Sequence, residues 1–248
     1  MNTPRISTGF LASVRSADEA LLCVEAGADL IDCKEPLGGA LGALPYDVVA
    51  AIRQAVPRDI PVSATIGDLI PEPAAITAAV TAMSATGVDY VKIGIFPGGD
   101  ARAAIETLAP LAGQRFQMVG LLLADCEPDF SLIQVMAHAG FAGVMIDTAD
   151  KASGSLPSVM TPQGMSCFIE TAHGAKLFAG LAGSLRLAHI ASLLGLSPDL
   201  LGFRGALCRA GDRRGELDRA SVEAVREAIP RGSRTAGTAN PSRRQEVV

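Results

Sequence analysis

Four lysines stand against seventeen arginines in this 248-residue chain. Where arginine serves nearly every need for positive charge, each lysine asks for its own explanation. A guanidinium keeps its proton and cannot act as a nucleophile, whereas an amine can lose one and attack a carbonyl. Lys34 ends the run Ala28-Asp29-Leu30-Ile31-Asp32-Cys33, Lys92 interrupts Tyr90-Val91-Lys92-Ile93-Gly94-Ile95, and Lys151 follows Asp147 by four residues. All three sit in or just beyond apolar, strand-like runs, where α/β enzymes place their chemistry. The pattern points to lysine-based carbonyl chemistry.

Strand side chains alternate, so Asp32 and Lys34 share one face, about 7 Å apart, while Ile31 and Cys33 take the other. An ion pair sealing a barrel mouth would account for one isolated lysine equally well. Lys92 shifts that balance, because a charge inside a β-branched run is costly unless it faces a polar cavity. An ordinary amine is neutral only about once in a few thousand molecules at pH 7. Several ammonium groups converging on one cavity repel, which gives one of them a reason to deprotonate. Lys176 opens a strand at the opposite end and reads as structural. Asp68, Asp125 and Asp147, at or near the ends of the third, fifth and sixth runs, can shuttle protons or orient a lysine. Asp68 and Asp125 can equally cap the helices that follow.

The elements that must position these groups follow from hydrophobic patterning. Strand-like runs fall at Phe10–Val14, Ala28–Cys33, Pro61–Ile66, Tyr90–Ile95, Met118–Ala124, Gly143–Thr148, Lys176–Leu181 and Leu200–Phe203. Near-continuous apolar strands alternating with helices indicate a parallel sheet covered on both faces. Eight such units in one chain of this length predict a single (β/α)₈ TIM barrel over residues 1–230. A glycine fingerprint of the dinucleotide-binding type is missing after the first strand, where Ser13-Val14-Arg15-Ser16 stands instead. Ser16 and Glu19 predict a capping box. Pro71-Glu72-Pro73, Pro128 and Pro162 mark helix starts; Gly27, Gly87, Gly140 and Gly174 mark helix ends. Ser184 is expected to cap the seventh helix, and Asp218 or Ser221 to start the last. Residues 231–248 mix Arg, Ser, Thr, Gly and Pro without periodicity and read as a disordered basic tail.

Two connections are rich in glycine or longer than a barrel needs, Pro36–Gly42 and Lys151–Pro157, and both follow strand C-terminal ends. Small residues also gather in Ala179-Gly180-Leu181-Ala182-Gly183-Ser184 and Arg204-Gly205-Ala206-Leu207-Cys208. Loops after the seventh and eighth barrel strands commonly bind phosphate through backbone amides. Gly183, Ser184, Gly205 and Ala206 are therefore the expected phosphate contacts, with Arg204 a further candidate.

Other chemistries find little support. His138, His173 and His189 fall in helical stretches without paired ligand spacing, so no metal site and no cofactor is expected. No GxSxG elbow occurs. Aromatics are 4% and the net charge is −5, which argues against binding nucleic acid or an anionic membrane surface. Five dispersed cysteines read as reduced thiols, and no run reaches the length of a membrane span. A cytoplasmic protein, open to homo-oligomerisation, is the expectation.

At these same residues the chain resembles the (5-formylfuran-3-yl)methyl phosphate synthase family, also called 4-(hydroxymethyl)-2-furancarboxaldehyde-phosphate synthases. The likeness spans roughly residues 10–229. Its carriers are Gly27-Ala28-Asp29, Asp32-Cys33-Lys34-Glu35-Pro36, Gly39-Ala40-Leu41-Gly42, Ser63-Ala64-Thr65-Ile66-Gly67-Asp68 and Asp89-Tyr90-Val91-Lys92-Ile93-Gly94. Asp147-Thr148-Ala149 with Lys151, Ala182-Gly183-Ser184-Leu185-Arg186 and Arg204-Gly205-Ala206-Leu207-Cys208 continue the series. The resemblance implies a TIM barrel and a carbon–oxygen lyase acting on phosphates. It implies condensation of two glyceraldehyde 3-phosphate molecules into a furan aldehyde phosphate, as a precursor of a methanofuran-type (methylofuran) one-carbon carrier. It places the Schiff base on Lys34, proton acceptance on Lys92, and support on Asp147 and Lys151, with Asp32 beside them. Another class I aldolase-type enzyme acting on phosphorylated sugars is the nearest rival. A metal- or acid–base-dependent phosphosugar isomerase or decarboxylase is a second, and a non-catalytic phosphate binder a third.

Overall fold

The computed structural model describes residues 7–150 and 154–231. Eight strands occupy β1 (Gly9–Val14), β2 (Leu30–Cys33), β3 (Val62–Thr65), β4 (Tyr90–Gly94), β5 (Gln117–Leu123), β6 (Gly143–Asp147), β7 (Phe178–Leu181) and β8 (Leu200–Phe203). They pair in parallel and in chain order, and β8 returns to β1, so the sheet is a closed barrel without edges. The TIM barrel expected from the strand count is the fold observed.

Helices cover the outside: α1 (Ala17–Glu25), α2 (Tyr46–Ala55), α3 (Pro73–Ser84), α4 (Ala101–Glu106), α5 (Leu132–His138), α6 (Leu156–Val159), α7 (Pro162–Gly174), α8 (Ile190–Leu194) and α9 (Arg219–Ala228). Their caps explain where they start. Ser16 Oγ accepts from the Glu19 amide at 3.2 Å, and Glu19 reaches back to the Arg15 amide. Thr161 and Asp218 cap α7 and α9 in the same way. Gly27 ends the α1 turn at φ +88°, where a Cβ is disfavoured.

Some boundaries depart from the sequence-based expectation. Lys176 does not open a strand: at φ +63° it turns the chain out of α7, and β7 begins at Phe178. Ser184 does not cap a helix; a 3₁₀ turn at Leu187–His189 with Arg186 at its start intervenes before α8. The fifth helix begins at Leu132, four residues beyond Pro128. The connection after β6 carries the short α6, beginning at Leu156 within the stretch expected to be a loop.

Strand alternation divides the core. Phe10, Ala12, Ile31, Cys33, Val62, Val91, Met118, Val144 and Phe203 point outward into the barrel–helix layer. Leu11, Leu30, Val119, Leu121, Leu123 and Met145 point inward and fill the lower and middle barrel. Above them, toward the C-terminal ends of the strands, the inward positions turn polar.

One device recurs at the opposite end. An aspartate immediately before β2, β4 and β8 accepts an amide of the preceding strand: Asp29 from Phe10 at 2.8 Å, Asp89 from Val62 at 2.8 Å and Asp199 from Ala179 at 2.7 Å. Each also binds a helix residue: Arg226 at 2.6 Å, Arg53 at 2.6 Å and His173 at 2.8 Å respectively. The N-terminal rim is thereby stapled to the helices. Among the described residues, no helix is long and apolar enough to cross a membrane.

Candidate active site

Two lysines and two aspartates occupy the polar layer inside the barrel. Lys34, just past β2, and Asp147, the last residue of β6, meet at 3.0 Å between Nζ and Oδ2. Lys92, on β4, meets Asp32 Oδ1 at 2.7 Å. All four side chains are buried, from 1% exposed at Asp32 to 8% at Lys34. Charges so placed are tolerable only when paired and hydrogen-bonded.

The sequence explains why these groups converge. Period-2 alternation directs Asp32 and Lys34 inward from β2, Lys92 from β4 and Asp147 from β6. Serines supply the remaining donors: Ser63 Oγ gives to Asp32 Oδ1 at 2.6 Å and Ser13 Oγ to Oδ2 at 3.0 Å. Asp32 thus holds three donors and is fixed. Asp147 accepts from Lys34 and, through Oδ1, from the Thr148 amide at 2.8 Å. Lys34 and Lys92 line one cavity, and each faces a carboxylate within it. The pairing offers an acceptor within one proton hop of each amine. Lys151 lies outside the described residues.

Asp68 and Asp125 do not cap the helices after their strands. Asp68 accepts from the amides of Ala40 and Leu41 at 2.7 and 2.6 Å, and so ties the glycine-rich loop after β2 to the end of β3. Gly39 permits this approach: at φ +99° its absent Cβ would meet the Asp68 carboxylate. Asp125 accepts from Ala149 and Asp150 at 2.7 and 2.8 Å, holding the segment after β6. Both aspartates shape loops at the mouth.

The loops after β7 and β8 line the same opening. Gly183, at φ +107°, and Ser184, at φ +47°, form a tight bend whose amides donate to no carbonyl among the described residues. Gly205 and Ala206 begin a 3₁₀ turn directly after β8. All four line the cavity, and small side chains leave their backbone open to an oxyanion. Arg204 also lines it, but its guanidinium is taken up elsewhere. It binds Glu19 of α1 twice, at 2.6 and 3.1 Å, and the carbonyls of Ser13 and Gly215.

Three lining residues escaped the sequence reading. Arg213 is half-buried in the loop after β8, where burial lowers its guanidinium below the usual value and Asp147 partly opposes that shift. His189 was expected on a helix surface but stands at the rim. Its Nδ1 accepts from the Arg186 amide at 3.2 Å, and burial, with Arg186 adding to it, lowers the ring's pKa. Phe96, two residues past β4, packs over Gly94 and Leu41. His138 and His173 lie on helices away from the mouth, bonded to the Gln134 carbonyl and to Asp199. Among the described residues, no group of three or more His, Cys, Asp or Glu could hold a metal ion.

The cavity measures about 1350 Å³ and opens to solvent at the C-terminal face of the barrel. Pockets for one drug-sized ligand run to about 300–1,000 Å³, so two small phosphorylated molecules fit side by side. The arrangement supplies two amines with adjacent proton acceptors, a polar floor, and backbone donors for an anion.

Comparison with known proteins places this geometry. Phosphoribosyl anthranilate isomerase from Thermus thermophilus superposes with a TM-score of 0.65 at 13% identity, covering 90% of this chain and 98% of that one. A 3-hexulose-6-phosphate synthase gives 0.60 at 18% identity, over 90% and 100%. At such identities the likeness establishes the barrel alone. Sequence relatives carry more. A provisionally named (5-formylfuran-3-yl)methyl phosphate synthase of Methylorubrum extorquens is 44% identical, over 91% of this chain and 93% of its own. The (5-formylfuran-3-yl)methyl phosphate synthases of Methanopyrus kandleri and Methanocaldococcus jannaschii are 35% and 32% identical. They match over 89% and 88% of this chain and 98% of each of theirs. Residues 10–226 match the 4-HFC-P synthase family, and with relatives this similar along nearly its whole barrel the chain belongs to that family of enzymes.

Proposed function

We propose that the enzyme condenses two molecules of glyceraldehyde 3-phosphate into (5-formylfuran-3-yl)methyl phosphate through a Schiff base on Lys34, releasing phosphate and water. The carrying observation is the Lys34–Asp147 contact of 3.0 Å beside the Lys92–Asp32 contact of 2.7 Å, in a chain of this family.

The chemistry follows from those contacts. Lys34 Nζ passes a proton to Asp147 Oδ2, and its freed lone pair attacks the aldehyde carbon of the first triose phosphate. Loss of water from the carbinolamine gives an iminium, which acidifies the neighbouring carbon. Lys92, having passed its own proton to Asp32 Oδ1, takes that proton as an amine, and the C–H electron pair becomes the enamine. Asp32, saturated by Ser13, Ser63 and Lys92, keeps the Lys92 amine aimed. The enamine carbon then attacks the second aldehyde. Elimination of water and of one phosphate, ring closure by a hydroxyl, and release of Lys34 leave the furan, whose aromaticity drives the last steps. The iminium is the electron sink, so this route calls on no metal or cofactor. The amides after β7 and β8 receive a phosphoryl group, and Lys151, four residues after Asp147 in the sequence, has a supporting role. The product suits a carbon–oxygen lyase step toward a methanofuran-type carrier.

Incubation with glyceraldehyde 3-phosphate should yield an ultraviolet-absorbing furan aldehyde and equimolar phosphate. An aldol product without that absorbance, or no phosphate release, contradicts the reading and favours an ordinary class I aldolase.

A further inference from the structure

We infer that Arg213 binds the phosphoryl group of the second triose phosphate, in a subsite where the loop after β8 reaches the Gly39 segment after β2, apart from the backbone amides of Gly183 and Ser184 after β7. This rests on the two-triose reading above and deepens it.

The buried arginines of this chain show what a guanidinium ordinarily receives. Arg53, Arg204 and Arg226 each hold a carboxylate at 2.6 Å. Arg213 forms no ion pair among the described residues; its guanidinium reaches only the Gly39 carbonyl, at 3.4 Å through Nη2. The carboxylates whose fields act on it are engaged elsewhere. Asp68 is occupied by the Ala40 and Leu41 amides, and Asp147 by Lys34 and the Thr148 amide. A half-buried cation in this position is short of a counter-charge, and a phosphate dianion matches the planar guanidinium bidentately.

The arm that presents it is held in place. Arg204 Nε donates to the Arg213 carbonyl at 3.1 Å, and Arg15 donates to the Arg214 carbonyl at 3.0 Å. Asp212 Oδ1 accepts from the Arg214 amide at 3.0 Å, and a bridge between Cys208 and Leu217 closes the loop at its base. The loop crosses from the end of β8 past β1 to the Gly39 segment after β2. Its guanidinium therefore occupies a different sector of the rim from Gly183 and Ser184. The condensation brings two phosphoryl groups into one cavity, and two dianions repel unless each is held by its own donors. Arg213 also gives Glu19-bound Arg204 a purpose: it orients the loop rather than the substrate.

The test compares Arg213→Gln and Arg213→Lys with the wild type in two assays, using glyceraldehyde 3-phosphate as the probe. Borohydride trapping on Lys34 reports the first triose; furan formation reports the second. Arg213→Gln should trap normally, melt at the wild-type temperature, and lose furan formation through a half-saturation concentration raised roughly 10- to 100-fold, the range for losing charge-assisted hydrogen bonds. Arg213→Lys should fall between. Unchanged furan kinetics overturn the proposal. Loss of trapping along with turnover overturns it too, by assigning Arg213 to the first triose. Relief of inhibition by added inorganic phosphate with unchanged half-saturation assigns Arg213 to the released phosphate and likewise overturns it. A wild-type enzyme that traps the triose but forms no furan sinks the two-triose reading, and this subsite with it.

Discussion

Lys34 Nζ and Asp147 Oδ2 are 3.0 Å apart although 113 residues separate them, just past β2 and at the end of β6, strands that face each other across the barrel. No local segment makes this contact; only closure of the eight-stranded sheet does. In the proposed mechanism this pair is the nucleophile and the group that takes its proton.

Asp147→Asn tests that division of labour. The amide keeps the shape but cannot accept the Lys34 proton. Turnover should fall by about 10²–10⁴, the usual worth of a positioned proton acceptor. Imine formation at Lys34, read by the rate of borohydride trapping, should slow with it. Wild-type trapping rates at neutral pH in this variant would show that Asp147 plays no part.

Lys92→Met should separate the first step from the second. Trapping at Lys34 should persist while furan formation ceases, because the proton on the carbon beside the iminium has no acceptor. Asp32 is then left as a buried carboxylate without its cation, so denaturant unfolding should register a loss of roughly 3–5 kcal/mol. Ser63→Ala, which removes one donor from Asp32, should cost about 1–3 kcal/mol and leave trapping intact.

Asp68→Ala should free the glycine-rich loop. With the Ala40 and Leu41 amides released, hydrogen exchange over residues 38–42 should accelerate while the strand amides of β2 stay protected. Half-saturation should rise more than turnover falls, since the loop lines the cavity but carries none of the four paired lysines and aspartates. Unchanged exchange would show that the carboxylate does not tether the loop.

The thiols carry a pH prediction. Burial pushes the Cys23 thiol up to about 12 from 9.0, with Glu19 adding to the shift. Burial also raises Cys33 and Cys208. A folded-state value above the unfolded one means the folded state holds the proton more tightly. The stability this contributes is full below the unfolded value of 9.0 and is lost as pH rises from there toward about 12. The fall in stability above pH 9 should therefore be shallower in Cys23→Ala than in wild type. In the native state an aromatic disulfide reagent should modify exposed Cys167 first and spare the three buried thiols.

The barrel was legible because its strands are buried on both faces and read as separate apolar runs. Where the reading slipped, local sequence and tertiary use diverged. Ala28-Asp29 extends an apolar run, yet Asp29 is needed before β2 to receive the Phe10 amide. Lys176-Leu177 continues the β7 pattern, yet the chain must first turn out of α7. Lys34, Lys92, Asp32 and Asp147 could be singled out because a charge in an apolar strand is conspicuous, and the structure brings all four together. Their pairing was not legible, since it depends on which strands face each other across the barrel. Asp68 stands five residues ahead of α3, too far to cap it, and the Ala40 and Leu41 amides are its partners instead. Arg213 sits in an aperiodic loop among other arginines, and nothing local marks it as the one that lines the cavity beside Gly39 without a carboxylate partner among the described residues.

The most direct measurement is borohydride reduction in the presence of glyceraldehyde 3-phosphate, followed by peptide mapping. The account predicts one reduced triose adduct, on Lys34, and neither adduct nor furan in Lys34→Arg. An adduct on Lys92, Lys151 or Lys176 instead, or wild-type turnover in Lys34→Arg, would contradict it.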